Sequence, residues 1–373
     1  MKPLIIPIFL PNLGCRERCL FCNQKAVATE IPSPSSVRKF IETSLIGSPS
    51  DKKDREKQIA FYGGSFTGIP QDNQVHYLKE VQPLLRSGLI HSIRISTRPD
   101  ALDEEILSLL KEYGVKTVEI GAQSMIDEVL ILSRRGHRPE DTISAASRLR
   151  RWGFEVGIHL MIGLPGDTFD RFLQTLDQVI DLKPDFLRIH PTLVLKGSSL
   201  EILWRAGRYS PISLEEAVYW LKKGLLKLER SSVRVARIGL QPTEALEKHL
   251  RAGAYHPALH QLIDSEIAFD MAKQLLQIHP EEREAFFFCN PKEVSNLRGQ
   301  RNGNILKLKN QFHLKEISIQ SREDIPRGSL VLQTRRGNVS IQRRELYYSE
   351  NKNLNSPPPL RLPAVGRGDD SPC

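Results

Sequence analysis

No stretch of this 373-residue chain is apolar for long enough to span a bilayer, which argues against a membrane-embedded protein. The N-terminal apolar run Leu4–Leu10 is interrupted by Pro7 and followed by Pro11 and Asn12. It is about half the length of a signal-peptide core, so a first β-strand is expected there rather than a secretory or lipoprotein leader. Low-complexity sequence is missing until the tail, and 40% hydrophobic with 26% charged residues is ordinary for a globular protein. Cysteine is scarce and odd in number, five in all, of which Cys15, Cys19 and Cys22 crowd together. A disulfide framework would need spread pairs. The crowding points to metal ligation in a reducing compartment, by default the cytoplasm.

The formal charge of +9 is unevenly spread. Between Pro291 and Glu345 there are twelve Lys/Arg against five Asp/Glu. A basic C-terminal quarter suits an anionic partner such as nucleic acid, or simply keeps the surface solvated.

Short β-rich runs alternate with amphipathic helical stretches. The runs are Leu4–Leu10, Gln58–Tyr62, Ser92–Ser96, Thr117–Gly121, Glu155–Ile162 and Phe186–Val194. Between them, Asp72–Ser87, Asp103–Tyr113, Pro139–Trp152 and Phe169–Leu182 read as helices, several stopped by Gly114, Gly153 or Pro184. Parallel strands need crossover helices, so the alternation predicts an α/β fold with a partial (β/α)6 barrel; a doubly wound sheet is the alternative. The expected organisation is a barrel over residues 1–242, a helical extension over 243–283, a small basic α/β module over 284–345 and a disordered tail over 346–373. Val233–Leu240 reads as a short strand and Thr243–Ile278 as mostly helical.

The cysteines are spaced C-x3-C-x2-C in Gly14-Cys15-Arg16-Glu17-Arg18-Cys19-Leu20-Phe21-Cys22. Thiolates are the preferred ligands of iron–sulfur cubes, and three of them leave one of four irons open. A structural zinc site would need a fourth ligand, and the nearest histidine in sequence is His76. Every expected strand also ends in polar or glycine residues, at the end of a (β/α) barrel where chemistry gathers. Strand 2 ends in Tyr62-Gly63-Gly64-Ser65, strand 3 in Ser96-Thr97-Arg98-Pro99-Asp100, and strand 4 in Gly121-Ala122-Gln123-Ser124. Strand 5 ends in Gly163-Leu164-Pro165-Gly166-Asp167 and strand 6 in His190-Pro191.

C-x3-C-x-aromatic-C after a first strand resembles the radical S-adenosylmethionine (SAM) superfamily. That resemblance implies a [4Fe–4S] cluster on Cys15, Cys19 and Cys22, with SAM chelated at the open iron and cleaved to a 5′-deoxyadenosyl radical. It further implies an electron donor such as flavodoxin or ferredoxin. By the same resemblance Phe21 packs near the adenine, Gly63 and Gly64 meet the methionine amino group, Ser96 meets the ribose, and Gly163 brings backbone near the adenine. Gln123 and Arg135 resemble a SAM-contacting pair in the coproporphyrinogen-oxidase branch, and His159 stands where that branch has a ribose-binding acid.

Within the superfamily, Ser96–Asp100, Glu119–Ser124, Arg135-Gly136-His137, Leu195–Ser198 and Gly207-Arg208-Tyr209 resemble the catalytic subunit of the Elongator complex, a tRNA-uridine modifier. That subunit has an acetyltransferase domain after its radical region, whereas about 30 residues follow Glu345 here, fewer than a domain needs. Acetyl transfer is therefore not expected of this sequence. Leu297–Ile305 resembles a KH-type G-x-x-G loop, with Asn302 in the second glycine slot, opening a helix toward Leu308. A plain cap over the barrel edge is the alternative for that module. The sequence thus predicts a radical SAM enzyme acting on RNA, most simply tRNA. The alternatives are radical chemistry on a small molecule or peptide, and a non-enzymatic iron–sulfur or RNA-binding module.

Overall fold

The computed structural model describes residues 3–16, 19–24, 30–46, 55–279, 283–335 and 337–346. The expected tail, beyond Leu346, lies outside them. Six strands follow the expected runs closely: β1 (Leu4–Leu10), β2 (Lys57–Gly63), β3 (Ser92–Thr97), β4 (Val115–Gln123), β5 (Glu155–Ile162) and β6 (Phe186–Pro191). The next three are β7 (Leu193–Leu195), β8 (Arg234–Ile238) and β9 (Leu250–Gly253). One seven-stranded parallel sheet runs in the order β1-β2-β3-β4-β5-β6-β8. Helices between the strands make it a partial α/β barrel.

The sequence anticipated six strands and set Val233–Leu240 apart. Instead β8 pairs parallel to β6, after the crossover helix Leu214–Leu228. Its register shift between Leu187 and Arg188 shows why a five-residue strand next to charged residues was hard to place. The run Phe186–Val194 also divides: β7 leaves the barrel sheet and pairs antiparallel with β9. The β9 strand interrupts what read as continuous helix from Thr243 to Ile278.

Helix ends are set locally. Asp103 Oδ1 accepts from the Ile106 amide at 2.8 Å, Thr168 caps the helix Phe169–Asp181, and Ser213 with Glu216 forms a capping box. Alternate strand residues face opposite sides. Ile59, Phe61, Ile93, Ile95, Val118, Ile120, Val156, Ile158, Leu187 and Ile189 are buried under the helices and form the core. The other face carries the polar set.

Beyond the barrel, helix Leu259–Ile278 buries Leu262, Ile263, Ile267, Met271 and Leu275 between helix Leu214–Leu228 and a second sheet. That sheet contains β10 (Glu284–Cys289), β11 (Glu316–Ser321), β12 (Ser329–Thr334) and β13 (Gly337–Gln342), in the order β11-β10-β12-β13. The fourth strand, β13, was not anticipated. It forms a hairpin with β12 through Thr334↔Gly337. No described helix is long and apolar enough to cross a membrane.

Candidate active site

The cysteine loop leaves β1 through a turn in which Asn12 and Gly14 have positive φ, 56° and 75°. Close backbone approach explains the glycines on both sides. A Cβ on Gly14 would lie 2.1 Å from the Ser65 carbonyl oxygen, one on Gly64 1.9 Å from Leu13 O, and one on Gly68 2.2 Å from Gly14 O. Hydrogen bonds complete this lock: the Gly64 amide donates to Leu10 O at 2.9 Å and the Ser65 amide to Leu13 O at 2.8 Å. The far side of the loop is tied as well. The Leu20 amide donates to Ser133 O at 3.1 Å, and the Leu200 amide donates to Leu20 O at 2.8 Å. Gln24 bridges the two ends, accepting from the Asn12 amide at 2.5 Å and donating to Gly63 O.

Cys15 and Cys22 are half-buried and Cys19 is buried, all three as free thiols. Burial first, then the neighbouring Cys19, raises the Cys15 thiol, while Arg135 and Arg98 pull it back. Burial and Cys19 push Cys22 up to about 12. Thiols this reluctant to ionise alone become ligands when a metal supplies the compensating charge. Among the described residues no trio of His, Cys, Asp or Glu is gathered closely enough to hold a single metal ion. Three corners of a cube make a wider set.

Two arginines stand beside the thiols. Arg135 Nη1 donates to Cys19 Sγ at 3.1 Å and its Nη2 donates to Gly121 O. Its Nε is buried without a hydrogen-bond partner, as is Arg98 Nη1. Arg98 is otherwise clamped by Asp100 through two bonds of 2.9 Å, and its amide donates to Ser65 Oγ at 3.2 Å. His137, also buried here, is held down to about 3 by burial and by Arg135 and Arg98. The surplus of buried donors against sulfur suits an anionic centre.

The sequence-predicted residues gather here in part. Gln123, at φ 69°, closes β4 over a bulge, and a Cβ on Gly121 would meet Gln123 Nε2 at 3.0 Å and Arg135 Nη2 at 3.4 Å. The pair therefore converges on one glycine. Ser96 lines a small hollow with Leu10, Leu13, Tyr62 and Gly64. Gly163, at φ 72°, is fixed by its amide to Asp167 Oδ2 at 2.9 Å and by Tyr209 O–H to its carbonyl at 2.6 Å. Burial lifts Asp167 to about 7. Phe21 packs against an apolar cluster of Leu20, Val194, Leu200 and Tyr209, which meets the Gly163 carbonyl through Tyr209.

Sequence reasoning missed the barrel interior. Glu119, fully buried, is met by Arg94 at 2.7 Å, by Arg188 at 3.1 Å, by Tyr62 O–H at 2.9 Å and by His159 Nε2. His159 thus faces Glu119 in the structure. These contacts hold the Glu119 carboxyl well below the usual carboxylate range despite burial. Arg94 reaches Glu155 as well, at 3.6 Å. The available signal was polar residues recurring on one strand face, Gln58 and Tyr62, Arg94 and Ser96, Glu119 and Gln123, and Arg188 and His190, against apolar neighbours.

Residues 10–179 match the Radical SAM superfamily, and residues 184–268 match the Radical_SAM C-terminal domain. The chain belongs to the radical SAM superfamily. The second of these radical SAM matches runs across residue 242, where the sequence suggested a boundary, and ends within helix Leu259–Ile278. A tRNA uridine(34) acetyltransferase of Methanocaldococcus infernus is 37% identical over 193 residues, which are 46% of this chain and 35% of that protein. Protein YhcC of Escherichia coli is 28% identical over 250 residues, 65% of this chain and 74% of that one. The human Elongator complex protein 3 is 27% identical over 196 residues, 36% of its length. This radical SAM chain therefore spans about a third of the acetyltransferase and Elongator relatives. The solved archaeal Elp3 of Methanocaldococcus infernus shares the fold, with a TM-score of 0.56 at 22% identity over 75% of this chain and 64% of that one.

Proposed function

We propose that this enzyme binds a [4Fe–4S] cluster through Cys15, Cys19 and Cys22, binds SAM beside it, and modifies RNA, tRNA above all. The observation that carries the reading is the Arg135–Cys19 contact over a cysteine loop locked by Gly14, Gly64 and Gly68. The chemistry expected at this site is one-electron cleavage of the SAM sulfonium to methionine and a 5′-deoxyadenosyl radical.

In this reading the residues divide their work. Arg135, with its unpartnered Nε, offers a planar fork to the methionine carboxylate, and Gln123 supports it over Gly121. Gly63 and Gly64 face the amino group, although the Gly64 amide is already committed to Leu10. Ser96 serves the ribose; Gly163 and Phe21 flank the adenine. An external one-electron donor, a flavodoxin or ferredoxin, completes the set.

RNA is favoured by the likeness to tRNA uridine(34) acetyltransferase and by the basic C-terminal module. There, short helix Val294–Arg298 and helix Gly303–Phe312 flank the loop Gly299–Asn302, in which Gly299, Arg301 and Asn302 have φ of 70°, 51° and 61°. Arg301 is exposed, and Asn304 anchors the loop by donating to Ser265 O at 2.9 Å. A KH-like clamp on nucleotide backbone fits these features.

The test is anaerobic incubation of reconstituted protein with unmodified tRNA, SAM and dithionite, beside a Cys19→Ala control, followed by nucleoside mass spectrometry. A new nucleoside dependent on Cys19 is expected. Brisk 5′-deoxyadenosine release with unchanged RNA would return the substrate to a small molecule or peptide.

A further inference from the structure

The barrel interior holds more cation than its own acids can balance. Three arginines, Arg94, Arg188 and Arg234, share Glu119 and Glu155, and Arg237 pairs with neither among the described residues. The acids are spent low in the barrel. Glu155 opens β5, where it meets Arg94 at 3.6 Å and Arg234 at 3.8 Å, and Glu119 at mid-strand is shared between Arg94, Arg188 and His159. Toward the strand C-termini the balance is lost.

Arg188 on β6 is the register partner of both His159 on β5 and Arg237 on β8, so three basic side chains stand on one rung. Arg237 is half-buried; its side chain donates to Gln241 Oε1 at 2.5 Å, and no carboxylate pairs with it among the described residues. Burial and Arg188 depress its guanidinium. One step nearer the mouth, His190 Nδ1 is 3.0 Å from Gly239 O and is held neutral, down to about 3, by burial, His159 and Arg188. Glu119 already holds Arg188, so Arg237 is the member of this rung that lacks a carboxylate among the described residues, and a bound anion beside it would offset the repulsion between the two guanidiniums.

The position suggests which anion. β8 is the edge of the sheet, where a half-barrel is open at the side. An enzyme that works on a base inside a polymer draws that nucleotide out of its stack, while the backbone stays outside. The base then lies within the barrel and its flanking phosphate at the lip.

We propose that Arg237, backed by Arg188, is a subsite for a phosphodiester flanking a nucleotide drawn into the barrel. This rests on the RNA reading above and adds to it the point of entry, at the open edge by β8. Arg237 presents the planar donor fork, and Arg188 supplies charge while holding Glu119.

The experiment measures binding of a fluorescently labelled, unmodified tRNA transcript to anaerobically reconstituted protein across a salt series. It compares the wild type with Arg237→Gln, Arg237→Lys and the exposed-site control Arg86→Gln. Loss of one arginine–phosphate contact should weaken binding roughly 10-fold at low salt and lower the slope of log K against log salt by about one. The lysine variant should keep the slope, and the control should match the wild type. In turnover, Arg237→Gln should raise KM for the tRNA more than it lowers kcat. If the wild type binds with a steep salt dependence and Arg237→Gln keeps the same slope, the subsite is wrong and the RNA reading stands. An equal drop in Arg86→Gln would reduce the effect to bulk charge and overturn the subsite too. If the wild type does not bind tRNA at any salt, the RNA reading itself falls, and the subsite with it.

Discussion

The Arg135 guanidinium donates to the Cys19 thiol across 3.1 Å, joining residues 116 positions apart. The same side chain reaches Gly121 O, and so ties the end of β4 to the cysteine loop. A single arginine thus orients the loop and leaves a buried Nε for a further anion.

Arg135→Met should leave the fold standing and weaken SAM binding by roughly 10- to 100-fold, the range for losing a charge-assisted hydrogen bond. Titration with SAM under anaerobic conditions, read as KM against kcat for 5′-deoxyadenosine release, checks it. A variant with unchanged KM would remove Arg135 from SAM recognition.

Gly64→Ala places a methyl 1.9 Å from a backbone oxygen, which cannot swing aside as a side chain could. Overpacking of this kind costs about 1–3 kcal/mol, and the cysteine loop must shift to relieve it. A lower melting temperature with reduced iron uptake on reconstitution is expected. Full iron loading at wild-type stability would show that the lock is dispensable.

Glu119→Gln removes the one charge that Arg94, Arg188 and His159 share. Leaving buried arginines uncompensated costs about 3–5 kcal/mol. Urea unfolding should record a loss of that order, with the m-value kept. A change within experimental error would mean that solvent in the open barrel screens the network.

Asp167 titrates near 7 in the folded chain against an ordinary 3.8, so the native state holds a proton that the unfolded state has released. Its contribution therefore falls as pH rises from about 4 to about 7 and is level above that. Relative to Asp167→Asn, the wild type should lose stability across that window, as measured by urea midpoints. A difference independent of pH would place Asp167 in the ordinary carboxylate range.

The barrel strands were legible because period-two and helical patterns alternate cleanly from Leu4 to Leu182, and because glycine and polar residues punctuate the strand ends. The Gln123–Arg135 pairing was legible only through family resemblance, since eleven intervening residues fold back on themselves. β8 and β13 were harder. β8 read as a short strand, but its place in the barrel sheet comes from pairing with β6, and β13, flanked by charge, owes its strand state to pairing with β12. Gly63 and Gly64 illustrate a different limit. The sequence suggests close approach to a ligand, whereas the structure shows Gly63 against Leu10 at the end of β1 and Gly64 against Leu13 in the cysteine loop, which glycine permits equally well.

The sequence by itself determined the thiol spacing, the order of strands and helices, and the polar ends of the strands, because each follows from neighbours within a few residues along the chain. Only the tertiary structure decided that Glu119 would be ringed by Arg94, Arg188 and His159, and that Arg188 and Arg237 would stand on one rung at an open edge. Those facts depend on strand register, and register brings together side chains from five strands whose charges have no common signature in one dimension.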